Sequence, residues 1–123
     1  METNSTFNET FEQLKNILVR HEQDLVLKKD TENDFYLDSN TIMEHNKKNV
    51  FFGAVQIKKN YVSFHLMPVY IYPELLEEIS DDLKKRMHGK SCFNFKKPDL
   101  TLFEELRTLT EKGFIMYEKN NLI

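Results

Sequence analysis

The sequence predicts a two-layer α+β domain, in which one antiparallel sheet of about five strands is covered by an N-terminal and a C-terminal helix. Three observations predict it. Apolar residues recur at helical spacing near both ends of the chain. Two alternating runs joined by a tight turn occupy its middle. No Gly/Ser-rich or Pro-rich stretch divides the 123 residues into modules. A chain of this length is expected to form a single domain over residues 1–123, burying roughly two thirds of the surface exposed when unfolded.

The first helix follows from Phe7, Phe11, Leu14 and Leu18, spaced by four and three, with Ile17 widening the stripe and Asn4 or Ser5 as its cap. The stripe gives way near Glu22 to Asp24, and a strand is expected from Leu25-Val26-Leu27. Phe35-Tyr36-Leu37 forms a second short strand, after which the polar stretch Asp38 to Asn49 reads as a loop with room for one helical turn.

A hairpin follows, with strands Val50 to Lys58 and Tyr61 to Met67 turning at Lys59-Asn60. Strict alternation puts Phe51, Gly53, Val55 and Ile57 on the helix-covered face with Val62, Phe64 and Leu66. Phe52, Ala54, Gln56, Ser63 and His65 then belong to the other face, a half-polar concave surface suited to binding. Gly53 fits a bulge or the close approach of a covering helix. Pro68 ends the strand for want of an N–H.

Pro73 suits a first helical turn, Ser80 with Asp81 and Asp82 reads as a fresh cap, and Gly89 is placed as a left-handed terminator after two short helices or one bent one. Lys90 to Phe95 alternates as a strand. Thr101 and Glu104 match a capping box, and the stripe Leu102, Phe103, Leu106 and Leu109 predicts a helix stopping at Gly113.

Charge and cysteine usage narrow the function classes. Seventeen basic and 20 acidic side chains are interspersed for a net charge of −3, which disfavours general nucleic-acid binding. The pairs Lys28-Lys29, Lys47-Lys48, Lys58-Lys59 and Lys96-Lys97 read as solubilising turn residues that discourage edge pairing. Cys92 is the one cysteine, so no internal disulfide forms and a reducing, cytoplasmic setting fits. The polar, acidic start is the wrong order for a secretory signal, and Asn60 to Pro73 is too short to span a bilayer.

Two constellations carry chemistry. Glu74, Glu77, Glu78, Asp81 and Asp82 lie within nine residues and offer hard oxygen ligands for a weakly held divalent ion; Glu74 with Glu78, and Glu77 with Asp81, share a face if the segment is one helix. The plain alternative is a solvated helix face. His65, Cys92 and Asn94 occupy outward positions of two strands and cluster with Ser63 and Lys90 if those strands adjoin. Such a cluster suits ligand binding, with thiol chemistry through Cys92 and His65 as the catalytic alternative. The bland reading is a half-buried thiol beside a hydrogen-bonded imidazole. His21, His45 and His88 lack ligand spacing and read as surface or capping residues.

FFGAVQIKKNYVSFHLMPVY (51–70), the helix exit LKKRMHGKSCFNF (83–95) and the capped helix running to Gly113 follow one another in an order that resembles the YdhG-like family of small bacterial proteins, which includes frataxin-like iron-binding members. The resemblance implies the same two-layer fold and weakly bound iron as a cofactor. Many relatives carry a tryptophan- or glycine-proline-containing motif before this region, where this chain has LDSNTIMEHNKKN. The expectation is therefore a non-enzymatic binding domain, iron-related through the acidic segment, or binding a small molecule or partner protein. A small-molecule pocket would be built from Phe52, Gln56, His65, Lys90, Cys92 and Asn94. Self-association through an exposed Phe35 to Leu37 edge leaves monomer and homodimer both open.

Overall fold

The structure, a computed structural model, describes residues 2–42 and 47–123, the first four of them by backbone only. The fold is α+β. Helix α1 (Glu2–Val19) leads into β1 (Val26–Asp30), β2 (Asp34–Ile42), β3 (Asn49–Ile57) and β4 (Val62–Leu66). Short helices α2 (Met67–Ile71) and α3 (Asp81–Lys84) flank a single 3-10 turn at Pro73–Leu76, before β5 (Cys92–Phe95) and the long α4 (Leu100–Lys119). The strands form one antiparallel sheet in the order β1-β2-β3-β4-β5, so every neighbour in sequence is a neighbour in space. Among the described residues no helix is long and apolar enough to cross a membrane.

The core lies between the sheet and the two long helices. Phe11, Leu14 and Leu18 of α1 and Leu106, Leu109 and Tyr117 of α4 are buried against Phe35, Leu37, Val55, Phe64, Leu66 and Phe93. The helical spacing of the first set and the alternation of the second bring these residues onto facing surfaces. Gly53 permits a close approach of α1: a Cβ there would stand 3.1 Å from Leu18 Cδ2 and 3.0 Å from the His65 carbonyl.

Several elements differ from the sequence expectation. Strand β2 extends to Ile42, so 38–42 is strand instead of loop, paired at Asp38 and Ile42 with an irregularity between them; Asp38 and Ser39 look like loop residues but are buried, and Asn49 Nδ2 donates to the Ser39 carbonyl at 2.9 Å. The remainder of that predicted loop, 43–46, including His45, lies outside the described residues. β2 is hydrogen-bonded on both sides, so Phe35 to Leu37 is not an edge. The edge belongs to β1, where Lys28 and Lys29 are exposed and discourage pairing with another chain.

Helix α1 starts at Glu2, ahead of both expected caps. Helix α4 is capped by Asp99, whose Oδ1 accepts from the Leu102 N–H at 3.1 Å, which leaves Thr101 inside the first turn. It also runs past Gly113. That glycine serves contact instead of termination: a Cβ would lie 2.7 Å from Pro68 Cβ, so α2 reaches α4 only because none is there. Gly89, at φ +84, does take the left-handed conformation, and Ser80 Oγ caps α3 from the Leu83 N–H at 3.1 Å.

The largest correction concerns Phe52. Leu37 pairs with Gly53 and Asp38 with Phe51, so β3 spends one extra residue against β2, which is a bulge. Alternation slips there. Phe52 turns to the helices, where it is fully buried with its ring edge-on to Tyr117 at 5.5 Å between centroids. Phe51 turns to the open face and packs against Tyr36 at 4.7 Å.

Candidate functional site

On the uncovered face, β3, β4 and β5 bring the polar side chains into one row because Gln56 pairs with Ser63, Ser63 with Asn94 and His65 with Cys92. Gln56 Nε2 donates to the Asp34 carboxylate at 3.4 Å, and Ser63 Oγ donates to the Gln56 carbonyl at 3.5 Å. Ser63 Oγ also stands 3.1 Å from His65 Nε2. Cys92 Sγ donates to Asn94 Oδ1 at 3.3 Å and lies 4.0 Å from His65 Nε2. Of the six residues expected in a sheet-face pocket, four meet in this row: Gln56, His65, Cys92 and Asn94. Phe52 is in the core, and Lys90 is exposed in the turn before β5.

Burial favours the neutral forms of the two titratable groups at the Cys92 end of the row. Burial pushes the Cys92 thiol up from its ordinary value, with Lys58 opposing. Burial also holds His65 below its ordinary value, and Lys58 adds to that while Asp34 opposes. A thiolate–imidazolium pair needs both shifts reversed. Together with the 4.0 Å separation, both shifts disfavour proton transfer from the thiol to the ring.

The acidic segment does not form one helix. Glu74 sits in the 3-10 turn, Glu77 and Glu78 follow it, and Asp81 and Asp82 open α3, so the four-residue spacing does not stack them. All five are exposed. Glu78 is engaged by Lys112 at 3.1 Å. Asp81 and Asp82 occupy the first turn of α3, where negative charge is favoured. Among the described residues no three His, Cys, Asp or Glu side chains gather to hold a metal ion. His21, expected at the surface, is partly buried instead, stacked on Phe114 at 4.7 Å with Nε2 buried and unpartnered.

The row ends in a cavity. Where β5 meets the segment leaving α3, a cleft of about 590 Å³ opens, and Asn94 is the one residue of the predicted pocket on its wall. Tyr61, Lys85, Arg86, Met87, His88, Lys96 and Lys97 line it, with Phe95 behind them in the core, edge-on to Phe103 at 4.9 Å. Both walls are tied to the sheet: the Asn94 N–H donates to the Arg86 carbonyl at 2.8 Å, and the His88 N–H to the Cys92 carbonyl at 2.9 Å. The left-handed Gly89 makes that return possible. Sequence reading passed over these residues because Lys84, Lys85, Arg86 and His88 suit a helix C-terminus, and Lys96-Lys97 suits a turn. The available signal was the pair of basic runs on either side of Gly89, which a tight turn must fold back on each other.

Compared with family models, with curated proteins and with solved structures, the chain finds no match in any of the three.

Proposed function

We propose that this chain is a non-enzymatic binding domain, cytoplasmic in setting, that holds a small molecule in the cleft at the β5 end of its open sheet face. The observation that carries the reading is the cleft itself. Its volume of about 590 Å³ falls within the range of roughly 300–1,000 Å³ typical of ligand sites, as do other clefts of about 320–560 Å³ among the described residues; this one is set apart by its four basic side chains and by walls fixed by backbone hydrogen bonds. From the polar row only Asn94 reaches the cleft; its Oδ1 is held by Cys92, and its amide N–H groups are left for a ligand. The protonated thiol and neutral imidazole favour binding over thiol catalysis.

The iron-related role implied by the YdhG-like resemblance ranks below this reading, because the five carboxylates are exposed and spread over three segments. A fragment library screened by ¹H–¹⁵N correlation spectra on the intact chain tests the proposal. Hits should shift the amides of Tyr61, Arg86 to His88 and Asn94 to Lys97. Hits that collect instead on 73–82, or ferrous ion binding abolished by E77Q/E78Q, would move the function to the acidic segment.

A further inference from the structure

The cleft's charge specifies its ligand class, an inference that rests on the cleft being the binding site. Lys85, Arg86, Lys96 and Lys97 are four of the 17 basic side chains, and they share the cleft with one of the 20 acidic ones, Asp99. That carboxylate caps α4 through the Leu102 N–H and keeps its negative charge, leaving four cations against one anion in the cleft. Among the described residues, none of the four cations is in a salt bridge, which is equally true of Lys28, Lys58, Lys59, Lys84, Lys90 and Lys119; what sets the four apart is that they line one cleft. A chain with a net charge of −3 thus gathers four cations around one cleft of about 590 Å³, in excess over Asp99 within it and Asp82, which lines the adjoining groove with Lys85 and Arg86. Clustered cations repel one another, and an anion between them removes that cost.

We propose that this cleft binds the phosphate group of a small organic phosphomonoester. A phosphomonoester is close to a dianion at neutral pH, with a second pKa of about 6, and presents three acceptor oxygens. Arg86 offers a planar fork for two of them, the lysines add point charges, and the Asn94 amide and Tyr61 hydroxyl add neutral donors. The organic body lies along the half-buried side chains of Met87 and Tyr61, which a bare inorganic ion would leave unused. An extended polyanion is a poor fit, because the cations stop at the cleft and the rest of the chain is acidic.

The test compares phosphorylated compounds with their dephosphorylated partners on the ¹⁵N-labelled full chain: AMP with adenosine, phenyl phosphate with phenol, and glucose 6-phosphate with glucose, alongside inorganic phosphate. The phosphomonoesters should give saturable shifts at Tyr61, Arg86 to His88 and Asn94 to Lys97 that weaken with added salt. R86Q/K97Q should reduce their affinity about tenfold or more, in line with the loss of charge-assisted hydrogen bonds. The variant's unchanged thermal midpoint and remaining spectrum would show that the fold survives. Neutral partners binding in the cleft as well as the phosphates would overturn the phosphate class and leave the site standing. Inorganic phosphate binding equally well would reduce the cleft to an adventitious ion only. No shift in the cleft from any of these compounds, together with fragment hits elsewhere, would overturn both.

Discussion

Phe51 and Phe52 are identical neighbours in one strand, and the bulge between β2 and β3 gives them opposite lives. Phe52 is sealed among Tyr117, Phe114 and the helices, whereas Phe51 lies on Tyr36 at the margin of the open face. The same division runs through the whole sheet. Its covered face is almost wholly apolar, and its open face is a row of hydrogen-bonded polar side chains interrupted by Ala54 and the Tyr36–Phe51 pair. One face therefore carries stability, and the other is left able to change without unfolding the domain. The cleft lies at the end of the second, where two tethered walls hold it open.

The sharpest way to break this comparison is to truncate each ring. Phe52→Ala removes a fully buried ring and should cost about 3–5 kcal/mol of stability by urea unfolding. Phe51→Ala should cost only about 1 kcal/mol, since its ring is partly exposed. Equal losses, or the reverse order, would mean that the strict alternation holds and the bulge does not.

Next in size is the tie between α4 and the bulge. Tyr117 is buried, its hydroxyl donates to the Phe51 carbonyl at 2.7 Å, and burial raises its pKa well above the ordinary value. Tyr117→Phe keeps the ring against Phe52 but leaves that carbonyl unpaired, for a loss of about 1–2 kcal/mol. A neutral result in the same unfolding experiment would show that the bulge is held by packing alone.

Much of this architecture was legible in the sequence because it depends on period. The stripe at Phe7, Phe11, Leu14 and Leu18 gave α1, and alternation through Val62 to Leu66 and Cys92 to Phe95 placed His65, Cys92 and Asn94 together. The bulge was not legible, since local sequence favours neither phenylalanine for the core; the choice is made by Tyr117, 65 positions beyond Phe52. The length of β2 was hidden for a related reason. Asp38 and Ser39 carry loop chemistry, and only their burial beside Asn49 makes them strand. Gly113 shows the same limit, for a glycine near a helix end reads as a stop until Pro68 of α2 is found against it. The cleft escaped because each of its basic runs has an ordinary local explanation.

The smallest expected effect compares the faces through their histidines. Burial lowers the pKa of His21 on the covered side and of His65 on the open side below the value of about 6.5 for an unfolded chain. Around His21 stand Glu111, Asp24 and Glu118, which oppose the shift, and Arg20, which adds to it; around His65, Lys58 adds and Asp34 opposes. Below about pH 6.5 the unfolded chain binds more protons at these sites than the folded one, so stability should fall as pH drops toward 5. Asp38 has the opposite sign. Burial raises its pKa, with Lys28 opposing, so the folded chain binds its proton more readily and gains on acidification. H21Q should therefore flatten the acid loss between pH 7 and 5, and D38N should remove the gain that accompanies protonation of Asp38, read from unfolding midpoints carried on below pH 5. His21 should flatten the acid loss more than His65, because its Nε2 is buried with no acceptor to take a second proton, while His65 keeps Ser63 within reach. A larger effect from H65Q would place the costlier burial on the open face, and the division of labour between the two faces would have to be redrawn.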